Sequence, residues 1–183
     1  ILTPLAVDPA HPFPFFANGS ACLVLRIKPL DSGDDMEALI PLPIQLERFL
    51  RLPGNTSRYI ALEEVILQFV DQMFPEFRVI GQGIFRLLRD SELEVDDEAE
   101  DLMLSFETAL RRRRRGEVIQ VVVDDKMPSD LRDFVTSKLD CNREDIFAVS
   151  LVGLHDLSQI ITDERPDLLW RPFNARFPER IRD

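Results

Sequence analysis

The sequence predicts an α+β fold, in which a mixed β-sheet is covered by helices packed mainly on one face to give a two-layer sandwich. The first fifty residues favour strands, and from residue 58 onward strand-like and helix-like patterns alternate. The chain has 183 residues, 45% of them hydrophobic, which suffices for a core without disulfides or a metal. We therefore expect a folded module over residues 20–162, preceded by an extended arm over residues 1–19 and followed by an extended segment over residues 163–183.

The first third of the chain is predicted to be an arm, a buried strand and an edge strand. Prolines recur through residues 1–19, and because proline fixes φ and lacks a donor, this stretch is extended. Ser20–Lys28 is an apolar run typical of a buried strand. Ala38–Leu52 contains Pro41 and Pro43, so we expect an edge strand followed by irregular chain.

A helix and a glycine-containing strand are predicted next. Tyr59–Phe74 has apolar residues at helical spacing and acidic residues in its first turn, and Pro75 ends it. Phe77–Arg89 is strand-like and is interrupted by Gly81-Gln82-Gly83. Because these glycines precede another strand rather than a helix, they indicate a bulge and not a phosphate-binding loop.

An acidic stretch leads into the helix that the sequence predicts most clearly. The carboxylates of this stretch belong to Asp90, Glu92, Glu94, Asp96, Asp97, Glu98, Glu100 and Asp101. Hard cations prefer carboxylate oxygens, so a divalent-metal site is one interpretation, but the spacing fits no EF-hand and we favour a solvated loop. Ala99–Arg115 then places Leu102, Phe106 and Leu110 on one helical face, and Gly116 ends the helix.

The last third of the chain is predicted to alternate strands with short helices. Glu117–Val123 is rich in β-branched residues, which favours a strand. Pro128–Leu139 and Leu154–Ile161 have the pattern of short helices, and Asp145–Val149 has that of another strand. Proline and arginine recur over residues 163–183, which we expect to be extended.

The overall charge excludes several classes of partner. A net charge of −11 at pH 7 repels nucleic acid and anionic lipid. No apolar run approaches the roughly twenty residues that a membrane span needs, and no signal peptide is visible.

The chain opens on Ile1 rather than on methionine, which we interpret as a boundary inside a longer protein. Cys22 and Cys141 are expected to be reduced thiols of a cytoplasmic protein.

Candidate catalytic side chains are scarce. His11 and His155 lie in unrelated contexts, and together with two cysteines they supply too few neighbouring ligands for a zinc site. The sequence contains neither a P-loop nor a Gly-x-Ser-x-Gly elbow. We therefore predict no catalytic, cofactor-binding or metal-binding residue in this chain.

Arg111, Arg112, Arg113, Arg114 and Arg115 form the most conspicuous motif. At the end of a helix they complement the negative end of its macrodipole. Arginine also binds phosphate in bidentate fashion, so a phosphate clamp or a subunit contact is the alternative. Consecutive residues point all around a helix, so at most about two or three could reach one ligand, and we favour the structural interpretation.

Several strings, in order along the whole chain, resemble the polyphosphate kinase family of the type that forms a phosphohistidine. They are ILTPLAVDP at 1–9, HPFPF at 11–15, Arg48-Phe49, YIALEEVI at 59–66, GQGIFR at 81–86, RDSELEV at 89–95, LRRRRRG at 110–116 and DERPDL at 163–168. Each string alone is weak, but the ordered set is specific.

The resemblance implies the middle, or head, domain of an enzyme that reversibly transfers the terminal phosphate of ATP to polyphosphate through a phosphohistidine, with Mg²⁺. It implies an N-terminal domain and C-terminal catalytic domains in the same protein, a homodimer, and a cytoplasmic location or a peripheral one at the inner membrane. The family's catalytic histidines and phosphate-binding arginines belong to the C-terminal domains, and His11 matches no catalytic position. We therefore expect the module to bind no cofactor, to be inactive alone, and to serve domain packing and dimer assembly. Within it, the run Arg111–Arg115 is the candidate contact to polyphosphate or to a subunit.

Two other functions compete with this expectation. The chain could be an autonomous protein-interaction domain, or a small hydrolase that uses two carboxylates of the acidic stretch with unequal pKa values. The full reading frame discriminates these hypotheses, since only the first expects a histidine-bearing catalytic region in the same polypeptide.

Overall fold

The structure, a computed structural model, describes residues 2–7, 13–54, 57–90, 116–139, 141–162, 164–170 and 173. Several features singled out from the sequence lie outside these residues. They are the predicted helix Ala99–Arg115, the arginine run Arg111–Arg115, His11, and the acidic stretch apart from Asp90.

Strands dominate the part of the chain that is described. The strands are β1 (Leu5–Val7), β2 (Ala21–Pro29), β3 (Met36–Pro41), β4 (Phe49–Arg51), β5 (Tyr59–Ala61), β6 (Phe77–Arg89), β7 (Val118–Asp124) and β8 (Ile146–Val149). The α-helices are α1 (Leu62–Gln68), α2 (Val70–Met73) and α3 (Ser129–Leu139), and short 3-10 helices span Arg143–Asp145, Leu154–Ile160 and Pro166–Leu168. Among the described helices, none has the length and apolar character to cross a membrane.

The main sheet has six strands in the order β1-β3-β2-β6-β7-β8. Neighbouring strands are antiparallel, except that β7 and β8 run parallel. A separate two-stranded hairpin pairs β4 with β5. The mixed sheet and the α+β class predicted from the sequence are confirmed.

Strand β2 lies inside the sheet and is buried on both of its faces. Cys22 and Val24 belong to one core, which includes the apolar face of α3. Leu23 and Leu25 belong to a second core, which includes apolar residues of α1 and α2. The described helices thus cover both faces of the sheet and not mainly one, because a strand that is apolar on both sides needs a cover on each.

Two segments differ from the elements predicted for them. Tyr59–Phe74 is not one helix, because its first three residues form β5 and a break at Phe69 separates α1 from α2. The start of this segment pairs with β4, and the N–H of Leu62 donates to the carbonyl of Arg48 at 2.7 Å. Strand β3 is not at the edge of the sheet, because Leu5–Val7 of the arm adds β1 outside it.

The glycines of β6 lie within a continuous strand, as the interpretation of a bulge requires. The pairing between β2 and β6 shifts register next to Gly81. A Cβ atom at Gly83 would lie 2.6–2.8 Å from side-chain atoms of Met127, which is buried in the α3-side core. Gly83 therefore allows the loop after β7 to lie directly on the strand.

The aromatic residues of the arm pack against the module itself. Phe16 is buried, and its ring centroid lies 5.6 Å from those of Phe13 and Phe85. Phe15 remains about half exposed, with the guanidinium of Arg89 4.5 Å from its ring centroid. The side chain of Arg89 also donates to the carbonyl of Phe16 at 2.8 Å, which fixes the arm to the end of β6.

Candidate functional site

A buried ion pair joins the segment before β4 to the first turn of α1. The side chains of Arg48 and Glu63 are both almost fully buried. Nε of Arg48 donates to Oε1 and Oε2 of Glu63 at 3.1 and 3.2 Å, and Nη2 donates to Oε1 at 2.5 Å. Such a forked pairing satisfies both carboxylate oxygens, which is the condition under which charges are tolerated in an interior.

The same arginine attaches the segment that follows β8. Nη1 of Arg48 donates to Oδ2 of Asp156 at 3.1 Å and to the carbonyl of Val152. The side-chain oxygen of Gln159 accepts from the backbone N–H groups of Arg48 and Phe49 at 2.8 and 3.1 Å. Three stretches that are distant in the sequence therefore meet at one guanidinium.

Arg86 projects from β6 toward the same carboxylate. Its Nη1 lies 3.4 Å from Oδ2 of Asp156 and 2.8 Å from Nδ1 of His155. Nε2 of His155 in turn lies 2.8 Å from Oδ1 of Asp156. One carboxylate thus serves two arginines and a histidine.

The two arginines differ in their electrostatic environments. Burial lowers the pKa of Arg48, but the hydrogen bonds and charges of Glu63 and Asp156 outweigh it, so the pKa is raised overall. For Arg86, burial is the largest cause and Arg48 adds repulsion, so its pKa is lowered despite the charge of Asp156. Arg86 is therefore the less well-compensated cation of the pair.

A pocket of about 200 Å³ opens beside this cluster. One wall is apolar and comes from the chain between β3 and β4, including Leu42, Ile44 and Leu46. The rest of the lining includes the polar groups of Arg48, Arg86, His155, Asp156 and Gln159. The pocket thus combines apolar side chains with two arginines and a carboxylate.

Few of the residues singled out from the sequence lie within the described part of the chain. The run Arg111–Arg115 and His11 lie outside the described residues, whereas His155 lies at the pocket. Cys22 and Cys141 are not joined by a disulfide in this structure, and burial raises the pKa of the Cys22 thiol. Within the described ranges, no three His, Cys, Asp or Glu side chains form a cluster that could hold a metal ion.

The cluster of Arg48, Glu63, Arg86 and Asp156 was missed by sequence reasoning. A local signal existed for Arg86, which stands alone among Ile84, Phe85 and Leu87 in an apolar strand. A lone charge at such a position indicates a buried, paired side chain. Its partners lie some seventy residues away, beyond any local pattern.

Comparisons with known proteins cover nearly the whole chain. The family profile described as polyphosphate kinase middle domain matches residues 1–162. Curated proteins named polyphosphate kinase are 37% identical in Erythrobacter litoralis, over 99% of this chain and 25% of that protein, and 36% identical in Mycolicibacterium gilvum, over 97% and 25%. The crystal structure of polyphosphate kinase from Porphyromonas gingivalis matches with a TM-score of 0.69 at 22% identity, over 96% of this chain and 25% of that one. The chain spans about a quarter of the length of these proteins, and the structural match supports the fold alone.

Proposed function

This chain belongs to the polyphosphate kinase family, as its middle domain, and on that premise we propose that the module has no catalytic role of its own and serves domain packing and dimer assembly. The full-length protein would transfer the terminal phosphate of ATP to polyphosphate, reversibly and through a phosphohistidine, with ATP and Mg²⁺ held by other domains. Its location would be cytoplasmic, or peripheral at the inner membrane. The run Arg111–Arg115 would make at most a weak, salt-sensitive contact to polyphosphate or to a subunit.

The Arg48 cluster is the observation that best supports a structural role. Arg48 is bonded to both Glu63 and Asp156, and with the Gln159 side chain these contacts hold α1, the β4–β5 hairpin and the segment after β8 in fixed positions. A substrate-binding arginine must instead present free donors to its ligand. The charged side chains of this cluster therefore form a brace, that is, a set of internal contacts that stabilises the packing of these segments against one another.

The contacts of His155 also support a module without a catalytic role. Its two ring nitrogens lie 2.8 Å from Oδ1 of Asp156 and 2.8 Å from Nη1 of Arg86, so both are engaged within the module. A phosphoaccepting histidine needs one free nitrogen as nucleophile.

Phosphoryl labelling tests the proposal that the phosphohistidine forms outside this module. The isolated chain and the full-length polypeptide are each incubated with radioactive ATP and Mg²⁺, and label is measured before and after mild acid treatment. We expect an acid-labile label on the full-length polypeptide and none on the isolated chain. A label on the isolated chain that disappears in His155→Ala would contradict the proposal.

An autonomous protein-interaction domain is the second candidate, because large apolar side chains such as Ile44 and Trp170 are exposed. The length of the reading frame separates the two. A gene that encodes only this span would favour the second candidate.

A further inference from the structure

Arg86 is the cation of the cluster that is most poorly paired among the described residues. The side chain of Arg86 is 18% exposed, and the nearest carboxylate oxygen, Oδ2 of Asp156, lies 3.4 Å away. That oxygen already accepts from Arg48 at 3.1 Å, and the other oxygen of Asp156 faces His155. The other close contacts of Arg86 are to the two ring nitrogens of His155, at 2.8 and 3.1 Å, and an imidazole supplies no negative charge. A partly buried guanidinium whose nearest carboxylate is shared favours the approach of a further anionic oxygen.

The size of the pocket limits which ligand could supply this anionic oxygen. Pockets for small-molecule ligands typically enclose roughly 300–1,000 Å³, whereas this one holds about 200 Å³. Such a volume suits a single side chain or a small anion.

The apolar rim decides between these two occupants. Ile44 is 87% exposed and Leu46 is 52% exposed, and both line the mouth of the pocket. A small anion on Arg86 would leave this rim in water, whereas a polypeptide segment would cover it. Binding surfaces between proteins often combine an anchor that fills a pocket with surrounding contacts that exclude water.

We propose that this pocket receives an Asp or Glu side chain, flanked by apolar residues, from another domain of the same full-length polypeptide. The incoming carboxylate accepts from Arg86, and its apolar neighbours cover Ile44 and Leu46. This inference rests on the proposed packing role and names the surface and the chemistry through which the module packs.

The apolar half of the proposal is tested by alkylation of an introduced thiol. In Ile44→Cys, we expect the thiol to react about tenfold more slowly in the full-length polypeptide than in the isolated chain, because a covered position reacts only when the contact opens. Leu30→Cys is the matched control, since Leu30 is also an exposed apolar residue but follows the far end of β2 from the pocket. Its thiol should react at the same rate in both proteins.

The carboxylate half is tested with a zero-length cross-linker. Arg86→Lys places an amine in the pocket, and a carbodiimide then joins that amine to a carboxylate in contact with it. We expect a cross-link to an Asp or Glu outside this chain's 183 residues, identified by mass spectrometry. Arg78→Lys, on the exposed opposite end of β6, should not form that product.

Each remaining outcome overturns the assignment. A cross-link to Asp156 alone, or equal alkylation rates at position 44, would mean that the pocket is empty. In a mixture of isotopically light and heavy copies, a cross-link between a light and a heavy copy would show that the carboxylate comes from a second copy of the protein and not from another domain of the same polypeptide. If Trp170 becomes buried in the full-length polypeptide while position 44 stays reactive, the packing role stands and this pocket has no part in it.

Discussion

Replacement of Arg48 by methionine tests whether the buried ion pair is the brace of the module. The change removes the charge but keeps a long side chain, and it takes all guanidinium bonds from the buried carboxylate of Glu63. Breaking a buried pair by removing one partner costs about 3–5 kcal/mol, since the other charge stays uncompensated. For a chain of this size, each kcal/mol lowers Tm by roughly 2–4 °C, so Tm should fall by about 6–20 °C.

A solvent-exposed pair in the same module provides the matched control. Nη2 of Arg51 lies 2.7 Å from Oε1 of Glu164, but both side chains are about half exposed. Water and salt screen an exposed pair, so Arg51→Met should have little effect on urea unfolding followed by circular dichroism. Equal losses of stability in the two variants would refute the reasoning.

A double variant separates charge from packing in this experiment. In Arg48→Met with Glu63→Leu, neither member of the pair leaves a charge behind. Because apolar replacements of a whole buried pair are often neutral, most of the lost stability should return. If the double variant is as unstable as the single one, the loss comes from packing and hydrogen bonds to the backbone and not from the unpaired carboxylate.

Two further predictions concern close packing and pH. Gly83→Ala places a Cβ against Met127 and should destabilise the module by about 1–3 kcal/mol, whereas Gly81→Ala, whose Cβ would meet nothing closer than 3.6 Å, should cost less in the same urea unfolding assay. The hydrogen bond from Ser57 is the first cause that holds the pKa of Glu164 below its ordinary value, with Arg51 adding to it, so Ser57→Ala should raise that pKa in an NMR titration. Because the folded-state pKa of Glu164 is the lower one, its contribution to stability is present above the ordinary glutamate pKa and is lost as pH falls through the folded-state value. An unchanged titration would show that Ser57 does not contribute.

The strands were predictable because their signal is local. Ser20–Lys28 contains the unbroken apolar run Ala21–Leu25, which anticipates a strand buried on both faces, and the bounds predicted for Phe77–Arg89 are those of β6. The error at Tyr59–Phe74 has a non-local cause. Its apolar residues do fall at helical spacing, but Tyr59–Ala61 pairs with Phe49–Arg51, and a periodic pattern contains no information on that partner.

The site was less predictable than the fold for the same reason. Arg48 is bonded to Glu63, fifteen residues away, and to Asp156, more than a hundred residues away. The resemblance included Arg48-Phe49 and the string that contains Glu63, but no residue pattern showed that the two side chains meet. The sequence directed attention to the run Arg111–Arg115, which is conspicuous by composition alone. A cluster built from single charges on separate elements becomes visible only in three dimensions.

The environment of Trp170, the only tryptophan of this chain, tests the packing role most directly. Its side chain is 98% exposed, just after the 3-10 helix Pro166–Leu168. Fluorescence emission is measured for the isolated chain and for the full-length polypeptide, in each case as the difference from the Trp170→Phe variant. The account predicts a solvent-exposed emission and strong acrylamide quenching in the isolated chain, with a blue shift and weak quenching in the full-length polypeptide. Identical, fully quenchable emission in both would contradict a module that packs against the rest of its protein.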